Sequence, residues 1–196
     1  MKSRQELIVI DTCVYVDALY AGHARADNVD MDRARRSARL IEAVDRGEYL
    51  AGLLPIVLVE INSSTQLGAH LDFNKRQARK ECIDKYFRGL GHVVLEHDER
   101  VALLGAKLAR QEQRKAPDML IVASAAIHEA STLYSWDSDV LSLDGNPLVN
   151  GLRILEPPTD VATNSRTLFD VLAENENEEK TRVLKKFNND LQQYKG

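Results

Sequence analysis

Short runs of bulky apolar residues, spaced by longer segments of helical periodicity, constrain this chain more than any other feature. Leu7 to Ile10 is a four-residue apolar run flanked by charge, which reads as a strand buried on both faces. Comparable runs recur at Tyr49 to Leu53, in HVVLE (92–96), at Thr132 to Ser135 and in LRILE (152–156). The segments between them read as helices. One runs from Thr12 to about Tyr20, and a second from Arg33 to Arg46 with Leu40, Ile41 and Val44 on one face and Gly47 as a stop. Pro55 opens a helix carrying Glu60. Asn74 to Arg88 places Ile83, Phe87 and Leu90 at helical spacing. Asp98 supplies an N-cap for a helix to about Gln113, and Pro117 suits the first position of the next, whose Ala123, Ser124, Ala125 and Ala126 allow close packing on a sheet. AGHARADNVDMD (21–32) reads as a loop. Strands alternating with helices specify an α/β fold around a central, mainly parallel sheet of four to five short strands.

Pro157 and Pro158 break this pattern, so residues 1–156 form one domain and 157–196 a polar linker with a C-terminal amphipathic helical extension. The extension carries acidic ENENEE (174–179), then Leu184, Phe187, Leu191 and Tyr194 on one helical face. An isolated helix of that kind is marginal, so the stripe calls for a surface on its own domain, a second copy or a partner.

Composition narrows the function without choosing it. A chain of 196 residues with 44% hydrophobic content can bury a sizeable core. A net charge of −4 argues against a strongly cationic nucleic-acid coat, but leaves room for a local basic groove. Basic residues cluster at Arg33, Arg35, Arg36 and Arg39, at Lys75, Arg76, Arg79 and Lys80, and at Lys107, Arg110, Arg114 and Lys115. Most of these are expected on solvated helix faces; the third group runs directly into Asp118, which makes Arg110, Arg114 and Lys115 the candidates for touching a phosphate backbone. Cys13 and Cys82 match no metal or redox spacing, the N-terminal apolar run is too short for a signal peptide, and no stretch is long enough to span a bilayer. A reduced, cytoplasmic protein without a membrane partner is the expectation. The five histidines show no HxH or HExxH spacing, and no glycine loop cradles a phosphate.

Five acids remain, each just after an apolar run or opening a helix. Asp11 ends LIVID, Glu60 follows LLPIVLV, Asp118 opens a helix, and Asp137 and Asp139 follow TLYSW. Singly, each has an ordinary account as a cap, a turn former or a solvated residue. Together they fall where strand ends and helix starts share one edge of an α/β sheet. Carboxylates converging there repel one another, and a divalent cation resolves the repulsion. Oxygen donors without a His or Cys cluster suit Mg2+ or Mn2+.

At this point the chain resembles the PIN-domain ribonucleases. The likeness lies in IVIDTCVYVDAL (8–19), LPIVLVEI (54–61) and KAPDMLIVASAAIHEASTLYSWDSDVLSL (115–143), in that order, and covers roughly residues 7 to 156. It implies a three-layer α/β/α fold and a metal-dependent endoribonuclease resembling the VapC-like toxin of a toxin–antitoxin pair. Asp11, Glu60, Asp118 and Asp137 match the family's four acidic positions, with Asp139 as an auxiliary acid. Asp11, Asp118 and Asp137, with Asp139, are then the expected metal ligands, and Thr12 and Ser135 the hydroxyls that hold acids or water. The implied partners are RNA, a small antitoxin and a second copy of the chain. Cys13 departs from the Asn common in the family, the 20–33 region is longer than a minimal toxin needs, and the tail after Pro157 lies outside the pattern. Two relatives of this reading stay open: a non-catalytic PIN-fold module binding RNA or protein, and a PIN nuclease in RNA or DNA processing. A HAD-like phosphatase would need an Asp two residues after Asp11, where Cys13 stands.

Overall fold

β1 (Leu7–Ile10) lies at the centre of the sheet because its residues have no polar side chain to offer water; Ile8, Val9 and Ile10 are buried. In the computed structural model the described residues are 5–20, 30–64 and 92–159, with Gln77, Lys80, Glu81, Ile83 and Phe87. β2 (Leu50–Leu53) pairs with one side of β1 and β4 (Thr132–Tyr134) with the other, both parallel, in registers Leu7↔Leu50 and Ile10↔Tyr134. β3 (Val93–Val94) and β5 (Arg153–Leu155) close the two edges, giving the order β3-β2-β1-β4-β5, parallel throughout.

Parallel neighbours require crossovers, and helices supply them. α1 (Thr12–Tyr20) and α2 (Met31–Asp45) carry the chain from β1 to β2 and pack on one another; α3 (Pro55–Ser63) follows β2 and packs on α1. α4 (Glu99–Glu112) and α5 (Ala116–Ile127) pack together on the return from β3 to β4, and α6 (Ser138–Leu141) follows β4. Right-handed crossovers in opposite directions from β1 put the first group of helices on one face of the sheet and the second on the other. The outcome is the three-layer α/β arrangement expected from the alternation of runs.

Several strand and helix ends shift by one residue from the sequence reading, and two boundaries differ by more. α2 begins at Met31 rather than Arg33, because the Asp30 carboxylate accepts from the backbone N–H groups of Asp32 (3.0 Å) and Arg33 (3.2 Å) and so starts the helix two residues early. The third strand is two residues long rather than five. It lies at the sheet edge with Val93 and Val94 exposed, and only β2 is there to hold it. Gln77, Lys80, Glu81, Ile83 and Phe87 are helical, with Ile83 and Phe87 buried as their spacing implies. Leu90 and the stripe Leu184, Phe187, Leu191 and Tyr194 lie outside the described residues.

The core is one cluster filling both faces of the sheet, with Ile8, Ile10, Leu40, Ile41, Met119, Ile121 and Leu133 among its most enclosed members. Each such side chain contributes about 1.5–3 kcal/mol, against about 1 kcal/mol for a helix cap, so burial and not capping holds these layers together. Among the described residues no helix is long and apolar enough to cross a membrane.

Candidate active site

Strand order reverses direction between β1 and β4, where the helices change face. The crevice beyond the carboxyl ends of two such strands is where α/β sheets hold ligands. Asp11 is the first residue after β1, and Ser135 and Asp137 come directly after β4. The backbone binds the two ends together, since Asp11 N–H donates to Tyr134 O at 2.9 Å.

The Asp11 carboxylate is buried, with 6% of its surface exposed. Its Oδ2 accepts from Ser135 Oγ at 2.6 Å and from Cys13 Sγ at 3.2 Å. Ser135 Oγ in turn accepts from the backbone N–H of Asp137 at 2.9 Å, which ties Asp137 to the same network. Burial pushes the Asp11 carboxyl above its usual value, the Ser135, Cys13 and Thr12 donors pull it back, and the charge of Asp137 adds to the rise. Burial, and then the charge of Asp11, push the Cys13 thiol up to about 12, so at neutral pH it keeps its proton and can donate it.

Glu60 enters from α3. Its Oε2 accepts from the hydroxyl of Thr12, which opens α1 beside Asp11. Asp118 stands in the first turn of α5, a helix with Pro117 at its second position and no side-chain cap. A helix N-terminus ordinarily favours a carboxylate. Here burial and the charges of Asp137, Asp11 and Glu60 hold the Asp118 carboxyl above its usual range, with Lys115 pulling the other way. Four acids from four segments therefore act on one another across this crevice.

Asp137 caps α6, its Oδ1 accepting from Asp139 N–H at 2.7 Å. The turn-forming account of this residue thus holds, and its charge also bears on Asp11 and Asp118. Asp139 points to a different partner, accepting from the guanidinium of Arg114. Arg110 and Lys115 are exposed. Of the three basic residues that the sequence offers for a phosphate, Arg114 is thus already engaged at the rim of the acidic crevice.

Sequence reasoning left the partners of Cys13 and Trp136 unseen. Cys13, read as the loss of an amide, instead bridges the crevice: it donates to Asp11 and accepts from Trp136 N–H at 3.3 Å. Trp136 is held by the other face of the domain, with Nε1 donating to Ser37 at 2.7 Å and the guanidinium carbons of Arg33 and Arg36 at 5.0 and 4.7 Å from its ring centre. Those arginines are committed elsewhere as well, Arg33 to Asp17 and Arg36 to Glu156 and the carbonyl of Pro157. The indole is half-buried and fixed against α2 by these contacts. No local pattern in the sequence marks the contacts of Trp136 with Cys13, Ser37, Arg33 and Arg36, because each joins residues far apart in the chain.

Among the described residues no three carboxylate, thiol or imidazole groups, as arranged, stand close enough to enclose an ion. The donor chemistry nevertheless fits a hard divalent cation. The groups acting on one another are carboxylates, and among the described residues Lys115 is the positive charge that bears on Asp118.

The PIN domain model matches residues 8–146, more than half of the chain, and the chain belongs to this family. No curated protein sequence matches it significantly. Solved structures similar to it include VapBC2 from Rickettsia felis bound to a DNA fragment from their promoter, at 17% identity over 76% of this chain and 97% of that chain, with a TM-score of 0.47. Another is a member of the VapBC family of toxin–antitoxin systems, VapBC-5, from Mycobacterium tuberculosis, at 17% identity over 77% of this chain and 98% of that chain, with a TM-score of 0.44.

Proposed function

We propose that this PIN-domain protein is an endoribonuclease that hydrolyses RNA phosphodiester bonds with Mg2+ or Mn2+, and that it acts as the cytoplasmic toxin of a toxin–antitoxin pair. The observation that carries the nuclease reading is the state of Asp118. Its carboxyl is raised first by burial and then by the charges of Asp137, Asp11 and Glu60, so acids from four segments share one electrostatic problem that a cation relieves.

Asp11, Asp118 and Asp137 are the side chains that would hold the ion, with Asp139 available once it leaves Arg114. Bound there, a divalent ion supplies charge neutralisation at phosphorus and acidifies a water. The chain's own residues do the rest. Ser135 and Thr12 fix Asp11 and Glu60 by hydrogen bonds, so neither carboxylate must be ordered when substrate arrives. Glu60 takes the proton of the attacking water. Arg114, Arg110 and Lys115 orient the phosphate backbone at the rim. The toxin role rests on the ordered motifs at 8–19, 54–61 and 115–143, and it brings a small antitoxin and a second copy of the chain as partners.

Cleavage of labelled total RNA in Mg2+, Mn2+ or EDTA, with wild type and Asp11→Asn purified identically, tests this reading. Metal-dependent cutting lost in the variant is the expected result. A wild type that neither cuts RNA nor binds either metal would sink it and favour a non-catalytic PIN module.

A further inference from the structure

Cys13 lies where two elements of the crevice meet, and its sulfur touches both. Sγ donates to Asp11 Oδ2 at 3.2 Å, accepts from Trp136 N–H at 3.3 Å, and lies 3.6 Å from Ser135 Oγ. Ser135 Oγ donates to the same Asp11 oxygen at 2.6 Å. Two side-chain donors, one from α1 and one from the segment after β4, therefore converge on a single oxygen of a single carboxylate.

We propose that Cys13 is a positioning residue: held by the Trp136 N–H, its thiol helps Ser135 to pin Asp11 Oδ2, so that Oδ1 is presented to the divalent cation. This role rests on the nuclease reading above. A carboxylate turns easily about its last torsion, and two donors on one oxygen remove that freedom. The donor must also be neutral. A Lys or Arg at position 13 would compete with the cation for Asp11, whereas a thiol orients the carboxylate without discharging it. Sulfur contacts Asp11 and Trp136 together at 3.2 and 3.3 Å. A hydroxyl prefers about 2.7–2.8 Å to a carboxylate and about 2.9–3.0 Å to an N–H, so a serine there restores the donor to Asp11 at the expense of the Trp136 contact. Partners one shell out from a metal typically govern about 10- to 100-fold of its affinity.

The test is Mn2+ binding to the full-length protein by calorimetry, for wild type, Cys13→Ala, Cys13→Val and Cys13→Ser, with the metal-free thermal midpoint of each. Ala deletes the thiol, Val fills its place with apolar atoms and no donor, and Ser restores a donor. Ala and Val are expected to weaken Mn2+ about 10-fold or more, with Ser recovering much of the loss. This pattern is expected whatever the midpoints do; a packing role would lower the midpoint of Ala, spare Val and leave the affinity alone. Wild-type-like affinity in either donorless variant overturns this role and leaves the nuclease reading standing. A wild type that binds no Mn2+ overturns both.

Discussion

Arg114, one residue beyond the left-handed Gln113 that ends α4, places its guanidinium on the carboxylate of Asp139 in α6. Both side chains are well over a third exposed or close to it, at 36% and 43%, so water screens their attraction. A double-mutant cycle of Arg114→Ala and Asp139→Ala, read by urea unfolding, is expected to give a coupling of about 0–1 kcal/mol. Arg114→Ala should meanwhile raise KM for RNA. A coupling above about 2 kcal/mol with unchanged KM would make the pair a structural strut instead.

Asp11→Asn should separate activity from stability. The amide oxygen can still accept from Ser135 and Cys13, so the network survives while the charge is lost. The folded-state carboxyl lies above its unfolded value, so the stability it contributes is present at acid pH and is lost as pH rises through the folded value. At pH 7 without metal, Asp11→Asn should melt at or above the wild-type temperature. Saturating Mg2+ should raise the wild-type midpoint and not that of the variant. Turnover should fall at least about 100-fold, the scale for losing a group that stabilises transition-state charge. A variant that melts well below wild type would contradict the electrostatic account.

His92 gives a slope of the opposite sign. Burial lowers its imidazole to about 4, with the Tyr15 hydroxyl 3.4 Å from Nε2 and Phe87 against the ring. The unfolded chain takes up the proton near 6.5, so stability from the neutral ring is present above that value and is lost as pH falls toward 4. Urea unfolding of wild type and His92→Gln at pH 7.5 and pH 5 should show wild type losing roughly 1–3 kcal/mol more than the variant. Parallel losses in the two proteins would remove His92 as the cause.

Gly52, in the middle of β2, has no room for a methyl group. A Cβ there would stand 2.5 Å from Leu95 Cδ1 and 3.3 Å from Val9 Cγ2. Gly52→Ala is expected to cost about 1–3 kcal/mol, seen as a lower thermal midpoint, because neighbours on both sides must give way. An unchanged midpoint would show that Leu95 swings aside freely.

The parts of this fold that the sequence exposes are those governed by local rules. The LIVI run, Asp98 as a cap for α4 and Pro117 at the start of α5 each announce themselves within a few residues. The acids were legible for a related reason: each sits next to such a signal, so its position on the sheet edge follows from its place in the chain. What remained hidden depends on which distant side chain arrives opposite. Nothing near Cys13 says that Trp136 N–H will meet its sulfur, and nothing near Trp136 says that Ser37 and two arginines of α2 will enclose it. The early start of α2 at Met31 was legible in principle, since Asp30 is a good cap, but Asp32 just beyond it made the polar run look like loop.

The hydrogen bond from Ser135 to Asp11 joins residues 124 positions apart, and it sets the order in which this protein can become competent. Ribosomes add about 5–20 residues per second, so roughly 6–25 s separate the synthesis of Asp11 from that of Asp137. Through that interval the emerging chain holds a central strand with one of its two neighbours missing, and a carboxylate with no hydroxyl to seat it. Sheets that depend on such distant pairings also close slowly. A nascent chain therefore has no complete acidic crevice until the residues of β4 and those just after it have been made.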